Sequence, residues 1–197
     1  GDGQEEYMPT FAYTGARYVY IEGLEDLDQL ESIQFCTMNT DLDFCNEFSC
    51  GFKPFEDIVN AVIRSYRSNI FSGPTDCPTR EKNFWNGDIQ AFAATACYIA
   101  DDFDFLARWT DGGRKIQYDI YGWEDEEYIL PYILYTFYGD KEILRVKYPV
   151  IKKLIEKREK SVSGILPDGE KAPYRDHKAV ANVPGDFYAA CYHCLMY

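Results

Sequence analysis

The chain has 197 residues, of which 46% are hydrophobic and 27% are charged, a composition typical of a folded globular protein and not of a disordered one. Its 33 acidic residues outnumber its 20 basic residues, which gives a formal net charge of -13. This charge would repel a phosphate backbone or an anionic membrane surface, so we expect neither nucleic acid nor a membrane as a partner. The sequence has no apolar run of about eighteen residues and no secretory signal at its start, and it leaves the compartment open.

The N-terminal part has the two-residue periodicity of β-strands. Residues 10–21, "TFAYTGARYVYI", alternate aromatic and β-branched side chains around Gly15, and residues 32–38, "SIQFCTM", alternate in the same way. Two or three strands do not form a stable sheet on their own. We therefore interpret this region as the last strands of a β-domain.

The rest of the chain has helical periodicity. Apolar residues spaced at i, i+3, i+4 and i+7 predict five helices: Pro54 to Ile70, Asp88 to Trp109, Glu126 to Tyr138, one around Pro149, and one in "GDFYAACYHCLMY" from Gly185 onward. We expect Asp88 to cap the second helix and Pro149 to lie in the first turn of the fourth, near the surface with the polar string "EKREK". Residues 163–185 are rich in Gly, Pro and Asp and predict a long loop that could lie over a site.

The segment between the first two helices concentrates charge. Residues 73–88, "GPTDCPTREKNFWNGD", contain three acids, a guanidinium and an indole: Asp76, Glu81, Asp88, Arg80 and Trp85. A purely structural interpretation exists, in which Asp76 caps a turn, Glu81 accepts backbone N–H groups and Arg80 pairs with either acid. Taken alone, each residue fits that interpretation about as well as a functional one.

The whole set of charged residues favours a glycosidase. Such an enzyme needs a protonated carboxylic acid for the leaving oxygen, a second carboxylate that activates water or attacks carbon, and further acids that hold sugar hydroxyls. A bend at Gly87 would allow Glu81 and Asp88 to converge on one pocket. The neighbouring Arg80 would lower the pKa of a carboxylate, whereas crowding among the acids would raise one.

The same segment closely resembles the signature of bacterial α-L-rhamnosidases of glycoside hydrolase family 78, which is usually close to "PTDCPxREKxGWxGD". Three further stretches resemble this family: "FAYTGARYVYIEG" is similar to the strand that closes its β-sandwich, "DIVNAVIRSYRSNIFSGPTDCP" to its first barrel helix, and "GWEDEEYILPYILYTFYGD" to its third-helix region. The resemblance extends over roughly residues 10–160.

The resemblance implies a mainly α fold. Residues 51–197 would form the N-terminal part of an (α/α)6 toroid of six helical hairpins, and residues 1–50 would be the end of a β-sandwich domain and a linker. It also implies inverting hydrolysis of terminal α-L-rhamnose from a carbohydrate substrate, without an organic cofactor. The general base of the family is a glutamate on a much later helix, which we expect to lie outside this chain.

The resemblance also implies a role for each site residue. Glu81 would be the general acid, and the other charged residues of the motif, Asp76, Arg80 and Asp88, would bind rhamnose hydroxyls or tune that acid. Trp85 would form one wall of the sugar pocket and Trp123 a second one.

Three positions depart from the usual family pattern. Phe84 stands in place of Gly, Asn86 in place of Thr, and Glu124 in place of the Gly of Trp-Gly-Asp. Because a bulky Phe84 beside the acid could narrow the pocket, two alternatives stay open: a non-catalytic carbohydrate-binding relative, and a six-hairpin glycosidase that acts on another sugar. A helical interaction module, in which the charged residues only cap helices, is the third.

The seven cysteines favour free thiols in a buried core over a disulfide framework, because their number is odd and most lie within apolar patterns. A bridge among Cys36, Cys45 and Cys50 stays open, and Cys77 is expected to pack and not to act as a nucleophile.

A metal site near the C-terminus is not favoured. Cys191, His193 and Cys194 lie close together in sequence, but a structural zinc site normally has four ligands, and the only other histidine is His177 in the predicted loop. The spacing of the two cysteines instead suits a buried helix face.

Overall fold

The computed structural model describes residues 3–10, 12–44, 47–112, 120–160 and 180–197. Its helices are α1 (Lys53–Ser68), α2 (Asn86–Ile99), α3 (Phe103–Gly112), α4 (Glu126–Tyr138), α5 (Lys141–Glu159) and α6 (Gly185–Leu195). A short 3-10 helix, Leu27–Gln29, precedes them. Within these ranges the chain is mainly α, as the sequence predicts, and none of the described helices is long and apolar enough to cross a bilayer.

The first and third predicted helices are confirmed as α1 and α4. Helix α4 has the predicted bounds, Glu126–Tyr138, and it ends at Gly139, whose φ of 72° lies in the left-handed region that glycine adopts without steric cost. The predicted C-terminal helix is confirmed as α6. In all three segments the apolar periodicity was strong enough to define the element.

The strands predicted at 10–21 and 32–38 are not present among the described residues. The β-pairing of the described residues consists of two isolated bridges elsewhere in the chain, between Asp43 and Asp101 and between Ile70 and Pro74. Tyr18, in the first predicted strand, is 84% exposed. Alternating side chains do not make a strand by themselves, because the backbone N–H and C=O groups must also find a neighbouring strand.

The predicted helix from Asp88 to Trp109 is two helices, α2 and α3, and the prediction of one continuous element is wrong. Ala100 is extended, with φ -145° and ψ 154°. Asp102, which is 1% exposed, follows it and accepts hydrogen bonds from the Tyr66 hydroxyl at 2.6 Å and the Tyr138 hydroxyl at 3.1 Å. The break places this buried carboxyl between α1 and α4, where it can be satisfied.

The fourth helix begins earlier than predicted. Asp140 caps α5, since its carboxylate accepts the Glu142 N–H at 2.6 Å, and Pro149 therefore lies inside the helix and not in its first turn. A proline in a helix interior removes one backbone hydrogen bond. Pro149 is exposed, so the carbonyl left without that bond can be hydrated.

The main core is formed by helices α1, α2, α3 and α4 together with the start of α5. Its buried apolar side chains are Tyr66, Ile70, Ile89, Ala93, Ala96, Ile99, Ala100, Phe105, Leu106, Trp109, Leu130, Leu134 and Ile143. Complete burial of a large apolar side chain contributes about 1.5–3 kcal/mol to the free energy of unfolding. Helix α4 lies in the centre of this group, because it packs against α2, α3 and α5.

A buried ion pair connects helix α5 to the segment before α4. Arg158 of α5 and Asp125, directly before α4, are both 0% exposed, and the Arg158 guanidinium donates to the Asp125 carboxylate. The guanidinium carbon also lies 4.3 Å from the centroid of the Tyr121 ring, and its Nη1 is 3.3 Å from the sulfur of Met196 after α6. Arg158 belongs to the string "EKREK", so the prediction of a polar surface string is wrong at this residue.

Three sequence expectations concern residues outside the described ranges. Most of the predicted loop 163–185, with His177, is among them, and so is Cys45. Phe11 of the first predicted strand also lies outside.

Replacing Arg158 with Met should strongly destabilise the fold. Asp125 would keep its buried charge without its cation, and breaking a buried pair from one side costs about 3–5 kcal/mol. Urea unfolding of the chain measures this loss. The matched control is Arg145→Met, which removes an exposed pair with Glu142 and should change little. Equal midpoints for the two variants would contradict a structural role of the buried pair.

Candidate functional site

The charged motif forms a compact loop between α1 and α2. The Asp76 N–H donates to the Asn83 carbonyl at 3.0 Å, and the Asn83 N–H donates back to the Asp76 carboxylate at 2.8 Å. Inside this closed loop the Glu81 N–H donates to the Cys77 sulfur at 3.1 Å. Cys77 therefore supports the backbone that carries Glu81, in keeping with its predicted packing role.

Asp76 and Asp88 meet at one cavity. The cavity has a volume of about 350 Å³ and is also lined by Tyr66, Thr75 and Phe92. This volume lies within the usual range of small-molecule sites, about 300–1,000 Å³. Partial burial raises the pKa of Asp76, but hydrogen bonds from Cys77 and the Asn83 backbone outweigh it, and the pKa is lowered overall. The Asp76 carboxylate is thus ionised at neutral pH and can accept hydrogen bonds from hydroxyl groups.

Glu81 and Trp85 form a second pair on the same loop. The Trp85 indole N–H donates to a Glu81 carboxylate oxygen at 3.0 Å. Trp85 is the N-cap residue of α2, with an extended backbone, so the helix start fixes the indole that orients the exposed Glu81 carboxyl. Arg80, beside Glu81, is also exposed.

The bend between Glu81 and Asp88 is at a different residue from the one predicted. Lys82 has a φ of 51°, whereas Gly87 lies inside the first turn of α2. Asp88 is therefore in that first turn and does not cap the helix, which is a second correction. The helix N-terminus still favours its negative charge.

Gly87 has another physical reason to be glycine. A Cβ atom at this position would lie 2.6 Å from the Trp123 ring, a distance that side-chain atoms do not tolerate. The missing side chain lets Trp123 pack directly on the start of α2, next to Asp88. The structure thus brings the second predicted wall residue to the same end of α2 as the charged loop.

The turn that carries Trp123 is held by residues that were not predicted as part of the site. Gln90 of α2 donates through its side chain to the Gly122 carbonyl at 2.6 Å, and its amide oxygen accepts the Asp125 N–H at 3.1 Å. The Gly122 N–H in turn donates to the Asp125 carboxylate. Asp125 carries a sequence signal, since it is the acid of the Trp-Gly-Asp-like stretch, but nothing in the sequence marks Gln90.

The three departures from the usual motif lie in different surroundings. The Phe84 ring is 37% exposed and packs edge-on against Trp109, with ring centroids 5.4 Å apart, and it does not line the cavity shared by Asp76 and Asp88. Glu124 is buried and accepts the Ile120 N–H at 3.0 Å, which closes the turn before α4. Asn86 is buried in the first turn of α2.

The cysteine predictions are partly wrong. The described thiols are free, but four of those predicted to be buried are exposed: Cys36, Cys50, Cys191 and Cys194. Helix α6 instead packs through Tyr188, Ala189 and Tyr192 against Tyr121, and this turns its cysteines to solvent. Across the described ranges, no group of three or more His, Cys, Asp or Glu side chains is placed to hold a metal ion.

Comparison with known proteins connects this site to a family. The sequence-family model described as the bacterial alpha-L-rhamnosidase 6 hairpin glycosidase domain matches residues 43–119 of this chain. An alpha-L-rhamnosidase of Streptomyces avermitilis is 29% identical over 98% of this chain and 20% of its own length. A second, from Formosa agariphila, is 29% identical over 86% of this chain and 21% of its own length. The chain thus spans about a fifth of these relatives.

A solved structure shows the same fold. The crystal structure of Streptomyces avermitilis alpha-L-rhamnosidase complexed with L-rhamnose superposes with a TM-score of 0.73 and 28% identity, over 80% of this chain and 17% of that one. The described helices therefore have the fold of part of a six-hairpin glycosidase domain. In sequence and fold it is similar to bacterial α-L-rhamnosidases, as its motif predicts.

Glu126, in the first turn of α4, is a buried acid three residues after Trp123. It is 4% exposed. Burial, followed by the negative charge of Glu127, raises the pKa of the Glu126 carboxyl from 4.5 to about 8, and Glu124 and Asp125 raise it further. Glu126 therefore keeps its proton at neutral pH in the folded chain and loses it on unfolding.

Stability should consequently fall as the pH rises from about 4.5 to about 8 and level off above that, because the folded state binds one proton more than the unfolded state in this window. Glu126→Gln, which stays neutral, should gain about 2–4 kcal/mol over the wild type between about pH 5 and pH 9. Urea unfolding at the two pH values tests this. Glu142→Gln on the surface is the control and should leave the pH dependence of stability unchanged. If the stability of Glu126→Gln varied with pH in the same way as that of the wild type, the raised pKa of Glu126 would be refuted.

Proposed function

We propose that the protein containing this chain is an α-L-rhamnosidase that removes terminal rhamnose by inverting acid–base hydrolysis. The observation that carries this proposal is the geometry of the motif loop, where Glu81 is held by Trp85 and the neighbouring Asp76 and Asp88 share a cavity. The relatives named alpha-L-rhamnosidase support the choice of sugar.

Glu81 acts as the general acid in this proposal. Its carboxyl donates a proton to the leaving glycosidic oxygen, while a carboxylate outside this chain activates a water molecule on the opposite face of the sugar. Inversion requires room for this water, hence a separation of about 6.5–9.5 Å between the two carboxyl groups. Protonation and water attack are sufficient for hydrolysis, so the proposal contains no organic cofactor and no metal.

The remaining predicted residues bind the sugar. Asp76 and Asp88 accept hydroxyl hydrogen bonds at the shared cavity, and the exposed Arg80 donates to ring or hydroxyl oxygens. Trp85 and Trp123 supply flat apolar walls for the C–H faces of the ring.

The domain division also remains a proposal. Residues 1–50 would be the end of a β-sandwich domain with its linker, and residues 51–197 the N-terminal part of the toroid. Helix α1 begins at Lys53, which fits a boundary in this region.

Glu81→Gln in the full-length protein tests the general acid. Its kcat should fall by about 10²–10⁴-fold on aryl α-L-rhamnosides with poor leaving groups. The fall should be much smaller with a dinitrophenyl leaving group, which departs without protonation. Glu156→Gln, an exposed residue of α5, is the control and should keep wild-type rates. An equal loss on both classes of substrate would contradict the role of Glu81 as the acid.

The same substrate panel separates the alternatives. Faster cleavage of another aryl glycoside by the wild type would indicate a different sugar. Rhamnose binding that survives Glu81→Gln, without any turnover by the wild type, would indicate a carbohydrate-binding relative. A change in stability alone would indicate a helix-capping role for the motif.

Trp85→Phe should separate orientation of the acid from sugar binding. Phe keeps the apolar wall but cannot donate the hydrogen bond to Glu81, so kcat should fall about 10-fold or more while KM stays nearly constant. Steady-state kinetics of the full-length protein on an aryl rhamnoside measure both values. An increase in KM at constant kcat would instead show that Trp85 acts only through binding.

A further inference from the structure

We propose that Lys82, tied to Tyr13, is a positioning residue for Glu81, and that residues 12–16, here called the N-terminal strap, thereby contribute to catalysis. This inference rests on the proposed role of Glu81 as general acid. The strap is separated by more than sixty residues from the loop it touches. It provides none of the residues that line the cavity shared by Asp76 and Asp88.

The backbone of Lys82 is the first reason. Lys82 has a φ of 51°. Within the described part of the chain it is the only non-glycine residue with a positive φ. A residue with a Cβ atom adopts the left-handed region only when other contacts compensate for the unfavourable sterics. Because Lys82 directly follows Glu81, a change of its φ would rotate the peptide group that joins them. The acid would then point away from Trp85, to which it is now hydrogen-bonded.

The contacts that hold this backbone come from the strap. The Lys82 ammonium donates to the Tyr13 carbonyl at 2.6 Å and lies 4.5 Å from the centroid of the Tyr13 ring. Both interactions favour a fixed position for the side chain, one as a charge-assisted hydrogen bond and the other as a cation–π contact. The Tyr13 ring is itself stacked on Phe71, after α1, with centroids 4.6 Å apart.

A second contact joins the strap to the same loop. A Cβ atom at Gly15 would lie 2.5 Å from the Thr79 methyl group, so the strap backbone packs closely on the loop two residues before Glu81. Thr79 and Lys82 therefore lie on either side of Glu81 in sequence, and both are in contact with the strap. Thermal motion of the loop is restricted at the positions that set the direction of Glu81.

Kinetics of the full-length protein test the inference. Lys82→Met removes the ammonium but keeps the length of the side chain, and kcat on an aryl α-L-rhamnoside should fall about 10- to 100-fold with KM within about twofold. Lys82→Arg keeps a cationic donor and should recover most of this loss. Lys53→Met, on the exposed side of α1, is the matched control and should behave as the wild type.

Two further measurements separate positioning from simple stability. In Lys82→Met, hydrogen exchange of the backbone amides of residues 79–83 should become faster while the melting temperature stays near that of the wild type. Gly15→Val should reproduce both the faster exchange and the lower kcat. Its side chain would collide with Thr79 and separate the strap from the loop, while the amino-acid sequence of the loop stays the same. Wild-type kcat and wild-type exchange in Lys82→Met would overturn the inference, and so would a rise in KM at constant kcat.

The exchange experiment does not depend on the reaction. A wild-type protein that cleaves no rhamnoside would overturn the proposed function, while faster exchange in Lys82→Met would still establish the tie between strap and loop. Rhamnoside cleavage that is unaffected by Lys82→Met would leave the proposed function in place and overturn only the positioning role.

Discussion

The buried ion pair between Asp125 and Arg158 is the interaction on which the described helical part depends. Both side chains are removed from water, and the desolvation of two charges costs several kcal/mol unless nearby groups compensate it. Here the compensation comes from the guanidinium itself, the Gly122 N–H and the face of the Tyr121 ring. The pair can exist only when α5 and the segment before α4 are correctly assembled, so it links local structure to the tertiary fold.

This ion pair also determines the geometry of the site. Asp125 and Gln90 together fix the turn at Gly122, and that turn presents the neighbouring Trp123 to Gly87 at the start of α2. The motif loop reaches the same end of α2 and is closed by the hydrogen bonds between Asp76 and Asn83. Glu81 is thus carried by a locally closed loop, and Trp123 is carried by the assembled core. A site of this kind needs both to be rigid, because catalysis depends on sub-ångström placement.

Several features could be predicted from the sequence because their causes are local. Apolar periodicity defined α1, α4 and α6, and Gly139 defined the end of α4 through its positive φ. The motif loop could be identified because its chemistry is concentrated in sixteen consecutive residues, 73–88. The resemblance to bacterial α-L-rhamnosidases follows from the same residues. These inferences required only patterns that neighbouring residues form with one another.

Other features depended on residues that are distant in sequence. The break at Ala100 follows from the hydroxyl groups that surround Asp102, and the burial of Arg158 follows from Asp125, thirty-three residues earlier. The Lys82 side chain is held by the carbonyl of Tyr13, sixty-nine residues earlier. The sequence by itself determined the mainly α class, most helices and the chemistry of the motif loop. The tertiary structure decided where helices break, which charges are buried and how the acid is oriented, because the partners that stabilise these states meet only after folding.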